Sequence, residues 1–159
     1  MSNSNSNKMR SRHIALYVHE RSEEAIMLEM QAFENNFSAQ GSAFFKISEI
    51  EQFLMSIRKF PLVESPDLSI SGGYFDDSGD VIINEHLHIS FTRFNSSGLI
   101  SMEVRLFQPH PEHWRKGFGT GGRCSYFLNH RELSEFSDDL ERLVVGTSSY
   151  FEFENFDEA

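Results

Sequence analysis

Hydrophobic and polar residues alternate most clearly between Glu85 and Phe107, and this pattern predicts a long antiparallel β-hairpin. Apolar residues occupy every second position on both sides of a polar connection, Asn95-Ser96-Ser97-Gly98: Leu87, Ile89 and Phe91 before it, and Ile100, Met102, Val104 and Leu106 after it. A period of two with one apolar face is typical of strands that pack on a core and meet water on the other side. Glycine suits the end of such a loop because it accepts a positive φ angle.

The same alternation predicts a second hairpin near the start of the chain. Its apolar positions are Ile14, Leu16 and Val18 in one strand and Ile26, Leu28 and Met30 in the other. A helix over residues 23–33 is the alternative, because Glu, Met, Leu, Gln and Ala all favour helix. A short strand with Ala43, Phe45 and Ile47 on one side should follow.

A spacing of three and four residues predicts two amphipathic helices, at about residues 48–60 and 130–144. Ser48 and Glu51 have capping-box spacing at the first helix, which Pro61 should end, and Asn129 and Glu132 have the same spacing at the second. The predicted inner faces are Ile50, Phe53, Leu54, Ile57 and Phe60 in the first helix and Leu133, Phe136, Leu140 and Leu143 in the second, which Gly146 should end. Each helix follows a short aromatic strand. The two segments therefore share the same spacing of apolar residues after a strand. Any two amphipathic helices that follow strands can share it, and a duplicated unit would also show it.

The remaining segments complete an α+β architecture, a predominantly antiparallel sheet with the two helices packed on it. Tyr74-Phe75 and residues 81–83 should form two strands around the turn at residues 76–80, and residues 125–128 a further short strand. Between them the two prolines and four glycines of residues 108–123 predict a long irregular loop. We expect a polar tail at residues 1–12, one domain at residues 13–146 and an acidic, aromatic segment at residues 147–159.

Composition narrows the classes of function. The 159 residues include 14 basic and 24 acidic side chains, and the net charge of −10 opposes binding to nucleic acid or to an anionic membrane surface. No run of about 18 apolar residues is present to span a membrane, and the start of the chain lacks a signal peptide's apolar core. The single cysteine, Cys124, excludes an internal disulfide and is most simply a small buried residue. We expect a protein of the cytoplasm.

Several residues invite a catalytic or metal-binding hypothesis, but none forms a specific motif. His86 and His88 share one face of a strand, and His110 and His113 lie in the long loop, yet the chain has neither an HExxH motif nor paired CxxC motifs. Cys124 with a histidine such as His130 or His113 would be a weak nucleophilic pair, because a buried thiol is not activated. We therefore expect no metal, no cofactor and no catalytic residues.

Acidic and aromatic side chains give a stronger hypothesis. Carboxylates crowd the second helix and the chain end, and the functional interpretation is a docking surface for a basic protein, with acidic residues steering association and aromatic residues anchoring it. The predicted partner-binding residues are Glu132, Glu135, Asp138, Asp139, Trp114, Phe151 and Phe153. A solvated helix face and a free chain end would show the same composition.

The order of elements between about residues 43 and 145 resembles that of a known class of domain. It comprises the turn from Asn95 to Gly98, a strand of the type Ile-x-Met-Glu-Val-x-Leu, the lone Trp114, a short strand, and a helix of the type Glu-Leu-x-x-Phe-x-x-x-Leu from Glu132 to Leu140. This pattern is similar to small bacterial domains, some of which are encoded beside polymorphic toxins and regarded as immunity proteins. The resemblance implies a cytoplasmic, non-enzymatic α+β protein that binds and neutralises a partner.

Three functions are therefore compared. We favour a non-enzymatic bacterial module, immunity-like or inhibitor-like, that binds a basic protein. An alternative is an enzyme or small-ligand-binding protein whose site lies at residues 108–123, with His110, His113 and Arg115 nearby. A third is a structural domain that forms oligomers through an exposed sheet edge.

Overall fold

The computed structural model describes residues 12–154 and 156, so the predicted tail at residues 1–12 lies outside the described residues except for Arg12. The protein has an α+β fold, as predicted. The elements in chain order are β1 (His13–Arg21), β2 (Ala25–Glu34), β3 (Phe37–Lys46), α1 (Ile47–Ile57), β4 (Ser69–Phe75), β5 (Ile82–Arg93), β6 (Ile100–Pro109), β7 (Gly119–Leu128), α2 (His130–Val145) and β8 (Tyr150–Phe153). Short 3₁₀ turns precede β4 (Pro66–Leu68) and β7 (Trp114–Lys116).

In the described part of the chain, the strands form two antiparallel four-stranded sheets with the same internal plan. One sheet has the order β3-β2-β1-β8 and the other β7-β6-β5-β4. In each half of the chain three consecutive strands form a meander, a helix follows, and the next strand pairs with the first strand of the other half. The similarity of the two helical segments is therefore part of a repeated order of strand, strand, strand, helix and strand. The two halves exchange the last strand of this order.

Both predicted hairpins are present. Leu87 to Arg93 of β5 pair with Ile100 to Leu106 of β6, and Gly98 in the connecting loop has a φ of 95°. Residues 25–34 form a strand that pairs with β1 and β3, so the helix alternative for residues 23–33 is wrong. Alternate side chains of β2 lie in the core, which outweighs the helix preference of the individual residues.

The two sheets come into close contact where β3 crosses the second sheet. Gly41 of β3 lies against the backbone of β5, and a Cβ atom at this position would be 2.1 Å from the carbonyl oxygen of His86. Only glycine allows the two backbones to approach so closely. Away from this crossing the two helices complete the core.

Aromatic rings join the helices to the sheets. The ring of Phe91 in β5 lies 5.9 Å from Phe53 of α1 and 5.6 Å from Phe136 of α2, centre to centre. Phe136 also contacts Phe151 and Phe153 of β8 at 5.9 and 5.8 Å. One continuous core therefore connects both halves, and the bulky residues predicted for the helices supply much of it.

The start of α2 follows the sequence prediction, whereas α1 does not. Asn129 and Glu132 form the complete capping box of α2, and Gly146 ends it with a left-handed backbone. In α1 the N-cap is Lys46, whose side chain makes no capping hydrogen bond, so the predicted Ser48 cap is wrong. Because β3 leads directly into α1, Ser48 already lies within its first turn. Phe60 lies beyond the helix end and is 79% exposed, which corrects its place in the predicted apolar stripe.

Two boundaries also differ from the prediction. Strand β7 begins at Gly119 and pairs with β6 along its whole length, so the irregular loop covers residues 110–118 and not 108–123. In the segment at residues 147–159, residues 150–153 form β8 and pair with β1, so this part of the segment belongs to the domain. Phenylalanine at alternate positions of this segment supplies the apolar face that holds it in the sheet.

Candidate functional site

An acidic groove lies between α2 and β8. It has a volume of about 380 Å³ and is lined by Glu135, Asp138, Asp139 and Arg142 of α2 together with residues 152–154. The helix contributes these side chains from successive turns, because residues three and four apart share one face. Glu152 lies opposite them because β8 turns every second side chain outward, and Glu154, the residue after β8, lies on the same side. We refer to this feature as the acidic groove.

Arginine side chains partly neutralise the acidic groove. Arg142 pairs with Asp139, and Arg58, which caps the C-terminus of α1, lies 3.0 Å from Asp138. Glu135 lies 3.5 Å from Arg131, one helical turn away. Within the described residues, Glu152 and Glu154 have no arginine, lysine or histidine partner at ion-pair distance. The β8 side of the groove therefore carries the less compensated negative charge.

Arg58 also ties the two helices together beside this groove. Its guanidinium lies 2.8 Å from Glu141 and 3.0 Å from Asp138, and its Nε donates to the Ser137 hydroxyl at 3.2 Å. The hydrogen bond to Arg58 lowers the pKa of Glu141, and the reciprocal interaction raises the pKa of Arg58. These contacts fix the orientation of α2 and hence the position of the groove's carboxylates.

The structure brings together only part of the predicted partner-binding set. Glu135, Asp138 and Asp139 line the groove, whereas Glu132 is 8% exposed and accepts the backbone N–H of Asn129 as part of the capping box. Phe151 and Phe153 are buried against Phe136, so the prediction that they anchor a partner is corrected. Alternation of aromatic and acidic residues was the signal of a strand edge, with phenylalanine inward and glutamate outward. Glu152 and Glu154, which the predicted set omitted, are the carboxylates of the described part of that segment that line the groove.

Trp114 lies in another part of the molecule. Its ring is 4.5 Å from that of Tyr74, and the Arg115 guanidinium lies 5.1 Å from the indole centre. Strand β7 runs from this loop to the start of α2, so Trp114 and the acidic groove are not one contiguous surface. Trp114 covers the end of the β4–β5 hairpin, and its predicted role in partner binding stays a prediction.

Histidines in the loop at residues 110–118 have structural contacts. The backbone N–H groups of Glu112 and His113 donate to Nδ1 of His110, at 3.1 and 3.3 Å, and the two imidazole rings stack at 4.9 Å. Two backbone donors on one ring nitrogen hold the turn together. The nitrogen that would serve as a base is thus already an acceptor within the loop.

The outer face of the second sheet holds a cluster that includes His88. Its Nδ1 lies 2.6 Å from the Ser71 hydroxyl and 3.6 Å from a carboxylate oxygen of Glu85. A serine nucleophile and an orienting carboxylate must bind opposite nitrogens of the imidazole for proton transfer through the ring. Here both approach the same nitrogen, so these three residues do not have triad geometry.

His86 and His88 are buried, whereas their alternation with the apolar residues of β5 predicts that they face water. They are 5% and 9% exposed. Around His86 the rings of Tyr74 and Phe107 lie 4.4 and 6.1 Å away, and burial lowers the pKa of its imidazole. Among the described residues, none provides a hydrogen-bond partner for Nε2 of His86.

Cys124 is also buried, as expected, with 4% exposure. Burial raises the pKa of its thiol and that of the neighbouring Tyr126. The Tyr126 hydroxyl donates to the carbonyl oxygen of Phe33 at 3.4 Å. A protonated thiol in this environment is a poor nucleophile.

Within residues 12–154 and 156, no cluster of three or more histidine, cysteine, aspartate or glutamate side chains could hold a metal ion. None of the helices in the same part of the chain is long and apolar enough to cross a membrane. Comparison with protein-family models, curated proteins and solved structures gives no match. The immunity-protein resemblance therefore stays a prediction.

Proposed function

We propose that this protein is a non-enzymatic binding module that docks a basic protein partner in the acidic groove, in the manner of an inhibitor or immunity protein. The observation that carries this proposal is that five carboxylates of the described residues lie around one groove: Glu135, Asp138 and Asp139 of α2, Glu152 of β8, and Glu154, which follows β8. Separate segments of the sequence supply them, so their proximity is a property of the fold.

Unequal neutralisation of the groove supports a specific mode of docking. The α2 carboxylates are already paired with arginines, and a partner cation would compete with these for them. Glu152 and Glu154 are exposed and lie on the strand side. We infer that lysine or arginine side chains of the partner enter along β8 and complete an array of alternating charges with Arg142. Such contacts mainly accelerate and orient association, and they weaken as salt screens them.

The test compares two variants of equal net charge. In the groove variant Glu135, Asp139 and Glu152 are all replaced by lysine. In the control variant three exposed carboxylates outside the groove, Glu49, Asp77 and Asp80, are replaced by lysine. Each immobilised protein is incubated with lysate of its source at low and moderate salt, and the retained proteins are identified and quantified.

We expect one basic protein to be retained at near-stoichiometric amount by the wild type and by the control variant. With about 1 kcal/mol for each reversed charge, the groove variant should bind it roughly 100-fold more weakly. Equal retention by the groove and control variants would overturn the proposed site, and absence of a specifically retained protein would overturn the proposed function. Inhibition of an activity of the retained protein would then test the inhibitor role.

A further inference from the structure

A second groove lies at the opposite side of the fold from α2, between the β2–β3 hairpin and the ends of β6 and β7. It has a volume of about 500 Å³, with Phe37 and Gln40 on one wall and Gln108, Thr120 and Gly121 on the other. An adjoining groove of about 400 Å³ shares Gln108 and Thr120 and continues beside the loop at residues 110–118. The two form one elongated channel, which we call the edge groove. None of its lining residues belongs to the acidic groove.

One wall of the edge groove is an unpaired strand edge. Strand β7 is the last strand of its sheet. The N–H of His110 donates to the carbonyl of Phe118 at 2.8 Å, which sets the alternation of hydrogen bonds along the β6–β7 ladder. The backbone groups of Gly119, Gly121 and Arg123 therefore point away from β6. No hydrogen bond from the described residues reaches them.

The facing wall repeats this arrangement. Strand β3 is also the last strand of its sheet, and the N–H of Ile47 donates to the carbonyl of Glu24 at 2.9 Å. By the same alternation, the backbone groups of Ser38 and Gln40 point away from β2. Both walls thus present backbone donors and acceptors at every second residue.

The β7 edge lacks the usual protection against strand pairing. Proteins protect exposed edges with charged side chains, prolines or bulges. From Gly119 to Gly122 the edge has no charged side chain, and three of these four residues are glycines. Two phenylalanine rings leave no room for larger residues at these glycines. A Cβ on Gly121 would lie 2.9 Å from a ring atom of Phe107, and a Cβ on Gly122 would lie 2.2 Å from a ring atom of Phe37. Gly119 and Gly121, whose backbone groups form the free edge, are exposed.

We propose that the edge groove binds an extended, uncharged peptide segment of another protein, which adds a strand to the free edge of β7. Donors and acceptors that alternate along a straight edge match another peptide backbone. The residues that line the two grooves have aromatic faces and amide or hydroxyl side chains but no aspartate, glutamate, lysine or arginine, and Arg123 follows them in β7 beyond the lining, which favours an uncharged segment. A second copy of this chain is disfavoured, since pairing would bring together two molecules that each carry a charge of −10.

A proline substitution separates backbone pairing from side-chain contacts. The N–H of Arg123 points away from β6, so Arg123→Pro removes an edge donor without removing a ladder hydrogen bond. Arg123→Ala loses the same charge and keeps the N–H, and it is the matched control. A phage-displayed library of short random peptides is selected on the wild-type protein, and the enriched peptides are synthesised with and without methyl groups on alternate backbone nitrogens. Circular dichroism establishes that both variants are folded.

We expect enriched peptides that are uncharged and β-branched, bind the wild type and Arg123→Ala equally, and bind Arg123→Pro at least about tenfold more weakly. N-methylation on one edge of the peptide should have a similar effect, and the amide NMR signals of Gly119 and Gly121 should shift on binding. Should Arg123→Pro unfold, Gln40→Lys replaces it, because a charge at the groove wall should weaken binding of an uncharged segment to a similar degree. Absence of enrichment, equal binding of N-methylated peptides, or concentration-dependent dimerisation through β7 would overturn the proposal.

Discussion

Replacement of Phe153 by alanine should lower the free energy of unfolding by about 4 kcal/mol. Phe153 is 3% exposed, and its ring packs 5.8 Å from that of Phe136 at an angle of 85°. Burial of a phenylalanine contributes about 1.5–3 kcal/mol, and the cavity left behind raises the cost of Phe→Ala in a core to about 3–5 kcal/mol. This loss would be a large part of the roughly 5–15 kcal/mol that stabilises a typical domain.

Urea unfolding followed by far-ultraviolet circular dichroism measures this effect. With a slope of about 2 kcal/mol per molar urea, the midpoint should fall by about 2 M. Glu152→Ala is the matched control, because it alters the neighbouring residue of β8, whose side chain faces water. It should change the free energy of unfolding by less than about 0.5 kcal/mol.

A double-mutant cycle with Phe136→Leu tests whether the two rings are in contact. Edge-to-face ring pairs contribute about 0.5–1.5 kcal/mol beyond their buried area, so the two substitutions should be non-additive by about 1 kcal/mol. A loss below about 1 kcal/mol for Phe153→Ala would refute the placement of β8 in the core. Phe153 would then be available as the partner anchor that the sequence predicted.

Other predictions concern local interactions. Asn129→Ala should lower the free energy of unfolding in urea by about 1 kcal/mol because it removes the cap of α2, whereas Ser48→Ala should lower it by less than about 0.5 kcal/mol. Equal losses would contradict the cap assignment. Burial lowers the pKa of His86, so the stability that the neutral imidazole contributes is complete above about pH 6.5 and is lost as the pH falls towards the lowered pKa. His86→Phe should therefore reduce the loss of stability upon acidification. An unchanged dependence of stability on pH in this variant would contradict the prediction. Cys124 should react with a thiol reagent only after unfolding, since the side chain is 4% exposed and burial raises the pKa of its thiol. Rapid labelling of the native protein would instead place Cys124 at the surface.

Local patterns in the sequence predict the hairpins and α2 because local interactions define them. The alternation around Asn95 to Gly98 and the pair of Asn129 and Glu132 act within a few residues, and the structure contains both. The residues predicted for the inner face of α2 are all buried. The predicted N-cap at Ser48 is wrong for a related reason. Its spacing to Glu51 fits a capping box, but the helix start depends on β3, which leads into α1 without a loop.

Contacts between distant segments account for the errors. Nothing near Phe151 indicates that β8 will pair with β1, more than 100 positions earlier in the chain. The burial of His86 likewise depends on Tyr74 and Phe107, which other strands bring to it. For the candidate site, the sequence identifies the acidic residues of α2 but does not indicate that Arg58, which follows α1, pairs with Asp138. Neither strand edge of the edge groove is recognisable before the strand order is known.

The exchange of final strands between the two halves explains why the acidic groove is a defined surface. Helix α2 belongs to the second half of the chain, and its position depends on Phe136, which contacts β5 and β8. Strand β8 follows α2 in the chain but hydrogen-bonds to β1 of the first half. The carboxylates of α2 and those of residues 152 and 154 are therefore held at a fixed separation by both sheets. A short acidic chain end without this pairing would have the same composition but would adopt many conformations, and ordering it would oppose partner binding. The strand exchange thus converts an acidic segment into one wall of a preorganised groove.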